Sequence, residues 1–410
     1  MYSHYFKFKL IYFFTLSFQY TLSYADGPGP VGPVITDLNP VVLFPGLGGS
    51  RLEVRAEKPY SCFDRRKMTK YHSLWLNIGY LLPTSFDCFF DRIRLVHLEG
   101  SDYPQPLEGI HVRASHFGQT KSVEYLDSFP VFGLGSYMHT LVEQLVQKGL
   151  VRDVSIRAAP YDFRLGLAQL DDYFQQVKDL IEETYQINGQ KRVTLICHSL
   201  GCLRSVHFLN NQPDSWKNKF VHEYITLAAP WAGSVDALIA DLIGRDFGVP
   251  WLSIEKIRSF ERTYPSIIEL LPIPQVFGAE VLVKTLSRQF TSEEYENLFD
   301  LADCKECSLN FEKIVKPNIQ FPRVNTTCIY GAGLSTPSKI QFMTDNLNGP
   351  FNLQIGDGDG TVNSESLSYC QHWNKMRDHF TFNYVTLFGS NHADFVQDTG
   401  TVEKVLKYIF

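Results

Sequence analysis

The stretch RVTLICHSLGCLRSVHFL, residues 192–209, predicts a strand, a tight turn and a helix in immediate succession. A β-branched and apolar run at 193–196 is typical of a buried strand. Apolar residues then recur at helical spacing: Leu203, Val206 and Leu209. Between strand and helix, Ser199 lies at the apex of a Cys-His-Ser-Leu-Gly turn, the arrangement of a nucleophile elbow.

An elbow of this kind has a chemical purpose. The turn pushes the Ser199 hydroxyl out of the sheet edge, and it aims the backbone N–H of Leu200 toward a developing oxyanion. The usual pattern is G-x-S-x-G, and Cys197 occupies the position of the first glycine. A small residue is needed there because neighbouring strands crowd the turn. The pentapeptide alone is compatible with a catalytic serine and with a purely structural turn.

The composition is that of a globular protein with a large core. The chain has 410 residues, of which 44% are hydrophobic and 20% are charged. The net charge of -6 implies no broad basic surface, so nucleic acid is not expected as a partner.

The N-terminus predicts entry into the secretory pathway. Residues 1–25 resemble a cleaved signal peptide, since two lysines precede the apolar run 10–18 and small residues occupy both cleavage-determining positions of 23–25. The run is too short for an ordinary membrane span, and an N-terminal anchor helix is the alternative. This route makes the eight cysteines candidates for disulfides, and Asn325 begins a sequon for N-glycosylation.

The rest of the chain predicts one α/β domain with insertions. Residues 26–40 are a Pro- and Gly-rich lead-in that cannot hold a helix, and residues 41–410 form the domain. Strand and helix patterns alternate until residues 235–320, where short apolar pieces lie between prolines. An insertion there is expected to be a cap or lid over the site. Between residues 95 and 193, Ser136 is predicted to cap a helix.

An earlier insertion, residues 60–95, contains a dense apolar run from Leu74 to Pro83. A small subdomain that offers Trp and Leu side chains outward can dock a protein on a lipid interface. The alternative is that the cluster packs on the core, which is the more frequent fate of such residues. The candidate membrane or acyl-chain contacts are Trp75, Leu76, Leu81 and Leu82.

A glycine-rich loop at 45–50 follows the strand predicted at Val41–Phe44. Glycines there let the backbone approach a ligand closely. In α/β-hydrolases the second oxyanion donor comes from a loop after an early strand. A plain glycine-rich turn is the alternative.

A serine nucleophile needs a base and a carboxylate that orients the base. In α/β-hydrolases these residues occur along the chain in the order Ser, Asp, His. The acid candidates are Asp357 and Asp359 in the run GDGDGTV, of which Asp359 is preferred. His392 follows a predicted strand and is the best-placed base, whereas His198 flanks the serine and is expected to point away from it.

The two aspartates also invite comparison with a calcium-binding loop. An EF-hand counted from Asp357 requires Gly at its sixth position and Glu at its twelfth. Those positions hold Val362 and Ser368, so the EF-hand interpretation fails.

With these pieces placed, the chain resembles the lecithin:cholesterol acyltransferase family from about Val41 to the C-terminus. The family-like stretches are LWLNIGYLLPTSFDC (74–88), SVEYLDS (122–128), RAAPYDFRL (157–165), HSLGCL (198–203), LAAPWAGS (227–234), GDGDGTV (356–362) and GSNH (389–392). The resemblance implies an α/β-hydrolase fold with a membrane-binding subdomain and a cap.

The resemblance also implies roles for single residues. Ser199 would be the nucleophile, Asp359 the acid and His392 the base. The oxyanion N–H groups would belong to Leu47 and Leu200. The glycine-rich loop and the cap depart from the mammalian members, so the acceptor and the head group stay open.

Two disulfides follow from the same resemblance. Cys62–Cys88 would close the membrane-binding subdomain, and Cys328–Cys370 would form the second bridge.

Four cysteines are then left over. Cys202 has a counterpart in some members as a free thiol, and Cys197 has no assigned partner. Cys304 and Cys307 are predicted to form a local disulfide, since no nearby Cys or His pair completes a zinc site.

The resemblance implies acyl transfer at a phospholipid membrane or lipoprotein surface, through an acyl-serine. Water or a lipid alcohol would accept the acyl group, in a lysosomal or secreted protein. No metal or cofactor is implied, calcium included, because backbone donors polarise the carbonyl. The alternatives are a general lipase or carboxylesterase of the same fold, and a non-catalytic lipid-binding protein.

Overall fold

A computed structural model describes residues 38–57, 68–82, 84–127, 135–245 and 252–409 of the chain. The predicted signal peptide and Cys62 lie outside these residues. The strands are β1 (Val41–Phe44), β2 (Leu52–Ala56), β3 (Met68–Trp75), β4 (Leu95–Val96), β5 (Gln105–Pro106), β6 (Ile110–Ala114), β7 (Ile156–Ala158), β8 (Val193–His198), β9 (Val221–Leu227), β10 (Val283–Lys284), β11 (Gln289–Phe290), β12 (Thr326–Ala332), β13 (Leu334–Phe342), β14 (Phe351–Gly358) and β15 (Phe382–Phe388).

Six strands form a parallel sheet in the order β15-β12-β9-β8-β1-β7. The strands β1 and β8 are buried along their whole length, as expected for a parallel sheet covered on both faces. The carboxyl ends of parallel strands lie along one edge, where ligands bind in open α/β sheets. The α/β fold predicted from the sequence is confirmed.

The α-helices are α1 (Phe86–Ile93), α2 (Lys121–Glu124), α3 (His139–Gln147), α4 (Asp171–Ile187), α5 (Leu200–Asn210), α6 (Asp214–Phe220), α7 (Val235–Leu242), α8 (Ile254–Glu261), α9 (Pro265–Ile268), α10 (Pro274–Phe277), α11 (Tyr295–Leu301), α12 (Lys305–Glu312), α13 (Ser364–Leu367), α14 (Asp394–Gln397) and α15 (Thr399–Leu406). Among the described residues, 3₁₀-helices span Ile78–Leu81, Leu167–Gln169 and Ser368–Lys375. Helix α4 packs on β8 and α6, and α3 packs on α14 and α15. Within the described ranges, no helix is long and apolar enough to cross a bilayer.

The start of α3 differs from the sequence prediction. The helix begins at His139 with Met138 as its N-cap, so the prediction of a Ser136 cap is wrong. Ser136 instead pairs with Tyr125 in an isolated antiparallel bridge, which holds it in extended backbone.

The two predicted insertions meet each other. The described part of 60–95 forms β3, a 3₁₀-helix and α1, and β3 joins β2 and β6 in an antiparallel sheet. The described residues of 235–320 form helices α7 to α12 and the short strands β10 and β11, and two prolines of this segment begin α9 and α10. Phe89 of α1 stacks edge-on against Phe260 of α8, with ring centroids 5.8 Å apart.

The cysteine bonds agree with the sequence in part. Cys328–Cys370 joins β12 to a 3₁₀-helix, and Cys304–Cys307 is the expected local bridge. Cys88 is disulfide-bonded, and its implied partner Cys62 lies outside the described residues.

The sequence left the state of Cys197 and Cys202 open. In the structure these two residues bond to each other across the serine turn. The turn itself brings the two residues together, with their Cα atoms 4.9 Å apart.

Candidate active site

The turn after β8 presents Ser199 in a strained backbone conformation. Its φ of 55° and ψ of -130° are costly for a residue with a side chain, as in nucleophile elbows. Gly201 permits the turn to lie against the end of β1. A Cβ atom at Gly201 would come within 2.4 Å of the carbonyl oxygens of Phe44 and Pro45.

Ser199, His392 and Asp359 form a hydrogen-bonded series. His392 Nε2 lies 2.9 Å from Ser199 Oγ, and His392 Nδ1 lies 2.7 Å from Asp359 Oδ2. Asp359 is fully buried, and its other carboxylate oxygen accepts hydrogen bonds from the N–H groups of Thr361 and Val362. The carboxylate is therefore fixed, and it can hold the imidazole in the tautomer that accepts the serine proton.

The structure separates the two candidate acids. Asp359 follows β14, which belongs to a side sheet of order β11-β10-β13-β14 rather than to the parallel sheet. Gly331, in β12, lets the β13–β14 hairpin and Asp359 lie close to the parallel sheet, since a Cβ atom at this glycine would be 2.9 Å from Asp359 Cβ. Asp357 lies within β14, is exposed, and accepts hydrogen bonds from Ser364 Oγ and the Gly333 N–H. These bonds lower the pKa of Asp357, with Ser364 as the largest cause.

The glycine-rich loop lies directly against the serine. A Cβ atom at Gly46 would be 2.9 Å from Ser199 Cβ, so glycine is required for this close approach. Leu47 and Ser199 both line the same cavity. Trp75 Nε1–H donates to the Gly48 carbonyl oxygen at 2.7 Å and holds the far side of the loop. The N–H groups of Leu47 and Leu200, the first residue of α5, are thus the candidate oxyanion donors.

His198, which precedes Ser199 in the sequence, lies beside the base His392 in the structure. Its ring centroid lies 4.9 Å from that of His392, and its side chain is buried. Tyr137, which the sequence did not single out, bonds to it at 2.7 Å. Burial lowers the pKa of His198 to about 3, so its imidazole is neutral.

A cavity of about 210 Å³ opens above Ser199 and His392. Its apolar lining comes from segments 60–95 and 235–320 and from the loop after β7: Trp75, Ile93, Phe163, Phe260, Ile267 and Leu270. The serine hydroxyl thus lies at the floor of an apolar chamber. Such a chamber fits an acyl chain, because burial of methylene groups is favourable.

One part of the cavity wall is ionisable, which the sequence did not indicate. Asp236 and Arg245 form an ion pair there, and the Arg245 backbone N–H donates to Glu261 Oε2 at 3.3 Å. Burial raises the pKa of Glu261 to about 8, so this side chain is protonated at neutral and acidic pH.

The four candidate lipid contacts differ in exposure. Trp75 is half-buried, lines the cavity and packs near Phe89 and Phe163. Leu76 and Leu81 are also half-buried, whereas Leu82 is 49% exposed.

The sequon residue Asn325 immediately precedes β12 and is half-buried. Its side-chain oxygen accepts a hydrogen bond from the Thr381 N–H, and this bond does not use the nitrogen to which a glycan attaches. Across the described ranges, no group of three or more His, Cys, Asp or Glu side chains is arranged to hold a metal ion.

Comparison with known proteins gives a consistent result. A family model described as lecithin:cholesterol acyltransferase matches residues 71–321 and 309–399. Phosphatidylcholine-sterol acyltransferase of Mus musculus is 34% identical over 387 residues, covering 92% of this chain and 86% of that protein. Lysosomal phospholipase A and acyltransferase of Canis lupus familiaris is 36% identical over 371 residues, covering 88% and 89%. The Homo sapiens form of the latter is 35% identical over 371 residues, covering 88% of each.

Proposed function

Because the chain belongs to the lecithin:cholesterol acyltransferase family, we propose that it is a serine-dependent phospholipid acyl hydrolase and O-acyltransferase. One observation carries the proposal: Ser199, His392 and Asp359 are joined by hydrogen bonds of 2.9 and 2.7 Å, and Ser199 and His392 line an apolar cavity. This arrangement supplies a nucleophile, a base and an oriented carboxylate beside space for an acyl chain.

In the first half-reaction, Ser199 Oγ attacks the carbonyl carbon of a phospholipid ester while His392 Nε2 takes its proton. The N–H groups of Leu47 and Leu200 stabilise the oxyanion of the tetrahedral intermediate. The intermediate collapses with cleavage of the ester C–O bond, and the imidazolium of His392 returns the proton to the leaving alkoxide. A lysophospholipid departs and the acyl group stays on Ser199.

The second half-reaction repeats these steps with a new nucleophile. His392 takes a proton from water or from the hydroxyl of a lipid alcohol, which attacks the acyl-serine carbonyl. Ser199 leaves with the proton that His392 returns. Water gives a free fatty acid, and a lipid alcohol gives a new ester.

The contacts with lipid divide between two kinds of residue. Trp75, Leu76 and Leu81 are half-buried, and of these Trp75 lines the cavity, so Trp75 contacts the acyl chain and supports the glycine-rich loop. Leu82 is exposed and contacts the membrane or lipoprotein surface. The protein works in the secretory pathway, in the lysosome or outside the cell.

The test is product analysis by mass spectrometry, after incubation with liposomes of phosphatidylcholine, a sterol and ceramide. The wild type is expected to release fatty acid or form acylated lipid, and Ser199→Ala is expected to do neither. Ser287→Ala, an exposed serine in the β10–β11 turn, is the matched control and should retain wild-type turnover. Continued turnover by Ser199→Ala contradicts the serine mechanism. Hydrolysis of a soluble short-chain ester far faster than of liposomal phospholipid favours a general esterase.

A further inference from the structure

A second set of hydrogen bonds runs behind the three reacting side chains. The Gly46 N–H donates to Tyr137 Oη at 2.8 Å, and Tyr137 Oη lies 2.7 Å from His198 Nδ1. His198 Nε2 lies 2.9 Å from the backbone carbonyl oxygen of His392. The series therefore begins in the glycine-rich loop and ends on the residue that acts as base.

The direction of each hydrogen bond follows from chemistry. A carbonyl oxygen only accepts, so His198 Nε2 carries a proton and donates to His392. The His198 ring is neutral because burial lowers its pKa, and its Nδ1 must then accept from the Tyr137 hydroxyl. Burial raises the pKa of Tyr137, so the phenol keeps its proton. Each donor has one acceptor, and the series runs in one direction.

The two loops joined in this way are distant in the sheet. The glycine-rich loop follows β1 and the His392 loop follows β15, and three strands, β8, β9 and β12, lie between them. Ladder hydrogen bonds connect only neighbouring strands and do not set the distance between these loops. Tyr137 and His198 connect them directly, and neither residue lines the cavity.

We propose that Tyr137 and His198 are positioning residues that hold the oxyanion loop and the His392 base in a fixed relation across Ser199. The inference rests on the proposed function and adds residues to it. Displacement of a catalytic group by even about 1 Å is expensive, so losing this link should slow the chemical step. Since neither side chain contacts the cavity, substrate binding should change little.

The decisive variant is Tyr137→Phe, which keeps the ring but leaves the Gly46 N–H and His198 Nδ1 unpaired. We expect kcat to fall about 10- to 100-fold, the order of effect of a small displacement of a catalytic group, with KM within about twofold of wild type. Tyr173→Phe is the matched control, since its buried hydroxyl donates to the Ala159 carbonyl oxygen instead. The control should keep wild-type kcat, and the rates of both variants are measured well below their melting temperatures.

A second comparison tests the link to the base. His198→Gln retains a donor toward the His392 carbonyl oxygen, whereas His198→Ala retains none. We expect the glutamine variant to keep a higher kcat per reactive serine, counted by a fluorophosphonate probe. Equal kcat values in the two variants contradict the role of this hydrogen bond.

The inference is overturned if Tyr137→Phe has the same kcat as Tyr173→Phe. It is also overturned if the fall in turnover of Tyr137→Phe equals the fraction of chains that no longer react with the fluorophosphonate probe. A rise in KM at unchanged kcat also overturns it. Failure of the proposed function is distinct, because it appears as turnover by Ser199→Ala.

Discussion

Cys197 and Cys202 form a disulfide that encloses the turn carrying Ser199. Both side chains are fully buried, one at the end of β8 and the other in the first turn of α5. The bridge ties the two elements that define the elbow.

The double variant C197A/C202A should lose stability and keep most of its activity at 25 °C. A disulfide reduces the conformational entropy of the unfolded chain, and a bridge that closes so short a loop adds about 2 kcal/mol to the free energy of unfolding. Activity should persist because Gly201 still allows the turn to lie against β1. The free energy of unfolding is measured in urea for C197A/C202A and for the comparison variant C304A/C307A. Full loss of Ser199 reactivity in a folded C197A/C202A protein would show that the bridge itself forms the elbow.

The two aspartates of the GDGDGTV run give a matched pair. Asp359→Asn should lower kcat by about 10⁴-fold, because an amide favours the wrong imidazole tautomer. Asp357→Asn should leave kcat nearly unchanged, since Asp357 is exposed and bonded to Ser364 and Gly333. Steady-state rates on phosphatidylcholine liposomes decide between them. The reverse order of effects would assign the acid role to Asp357.

Much of the site could be predicted from the sequence because its parts are local. Strand β8 is an apolar run that breaks sharply at the Ser199 turn. The loop that carries His392 likewise follows a predicted strand. The order of Ser199, Asp359 and His392 then follows from the fold.

The remaining features depend on distances between remote segments. The Cys197–Cys202 bond requires the sharp turn itself, and the partners of His198 come from loops far away in sequence. Arg245 and Glu261 meet only because α7 and α8 pack together. No local pattern encodes such contacts.

Two buried carboxyl groups predict the pH dependence of stability. Burial raises the pKa of Asp241 and of Glu261 to about 8 each, against roughly 4 in an unfolded chain. Between these values the folded state binds more protons, so the free energy of unfolding should fall as pH rises from about 4 to about 8. Urea unfolding of the wild type should show a lower midpoint at pH 8 than at pH 5.

The double variant D241N/E261Q isolates this effect, because neither replacement titrates. Its urea midpoint should fall less steeply over the same pH range. An equally steep fall in the double variant would assign the pH dependence to other groups.

Leu82 offers a test of docking at a lipid surface. Leu82→Asp should weaken binding to phosphatidylcholine liposomes by about tenfold or more, since a buried leucine contributes roughly 1.5 to 3 kcal/mol. Hydrolysis of a soluble short-chain ester should not change. Leu286→Asp, an exposed leucine outside the 60–95 segment, is the control in a liposome sedimentation assay. Equal binding by both variants would remove Leu82 from the docking surface.

The central claim is that Ser199 is the nucleophile activated by His392 and Asp359. Its most direct test is peptide mass mapping after reaction of the folded protein with a fluorophosphonate lipid analogue. We predict one adduct, on Ser199, formed with loss of phospholipid turnover, and no such adduct in Ser199→Ala. An adduct on another residue, or turnover that continues after Ser199 is fully labelled, would contradict the account.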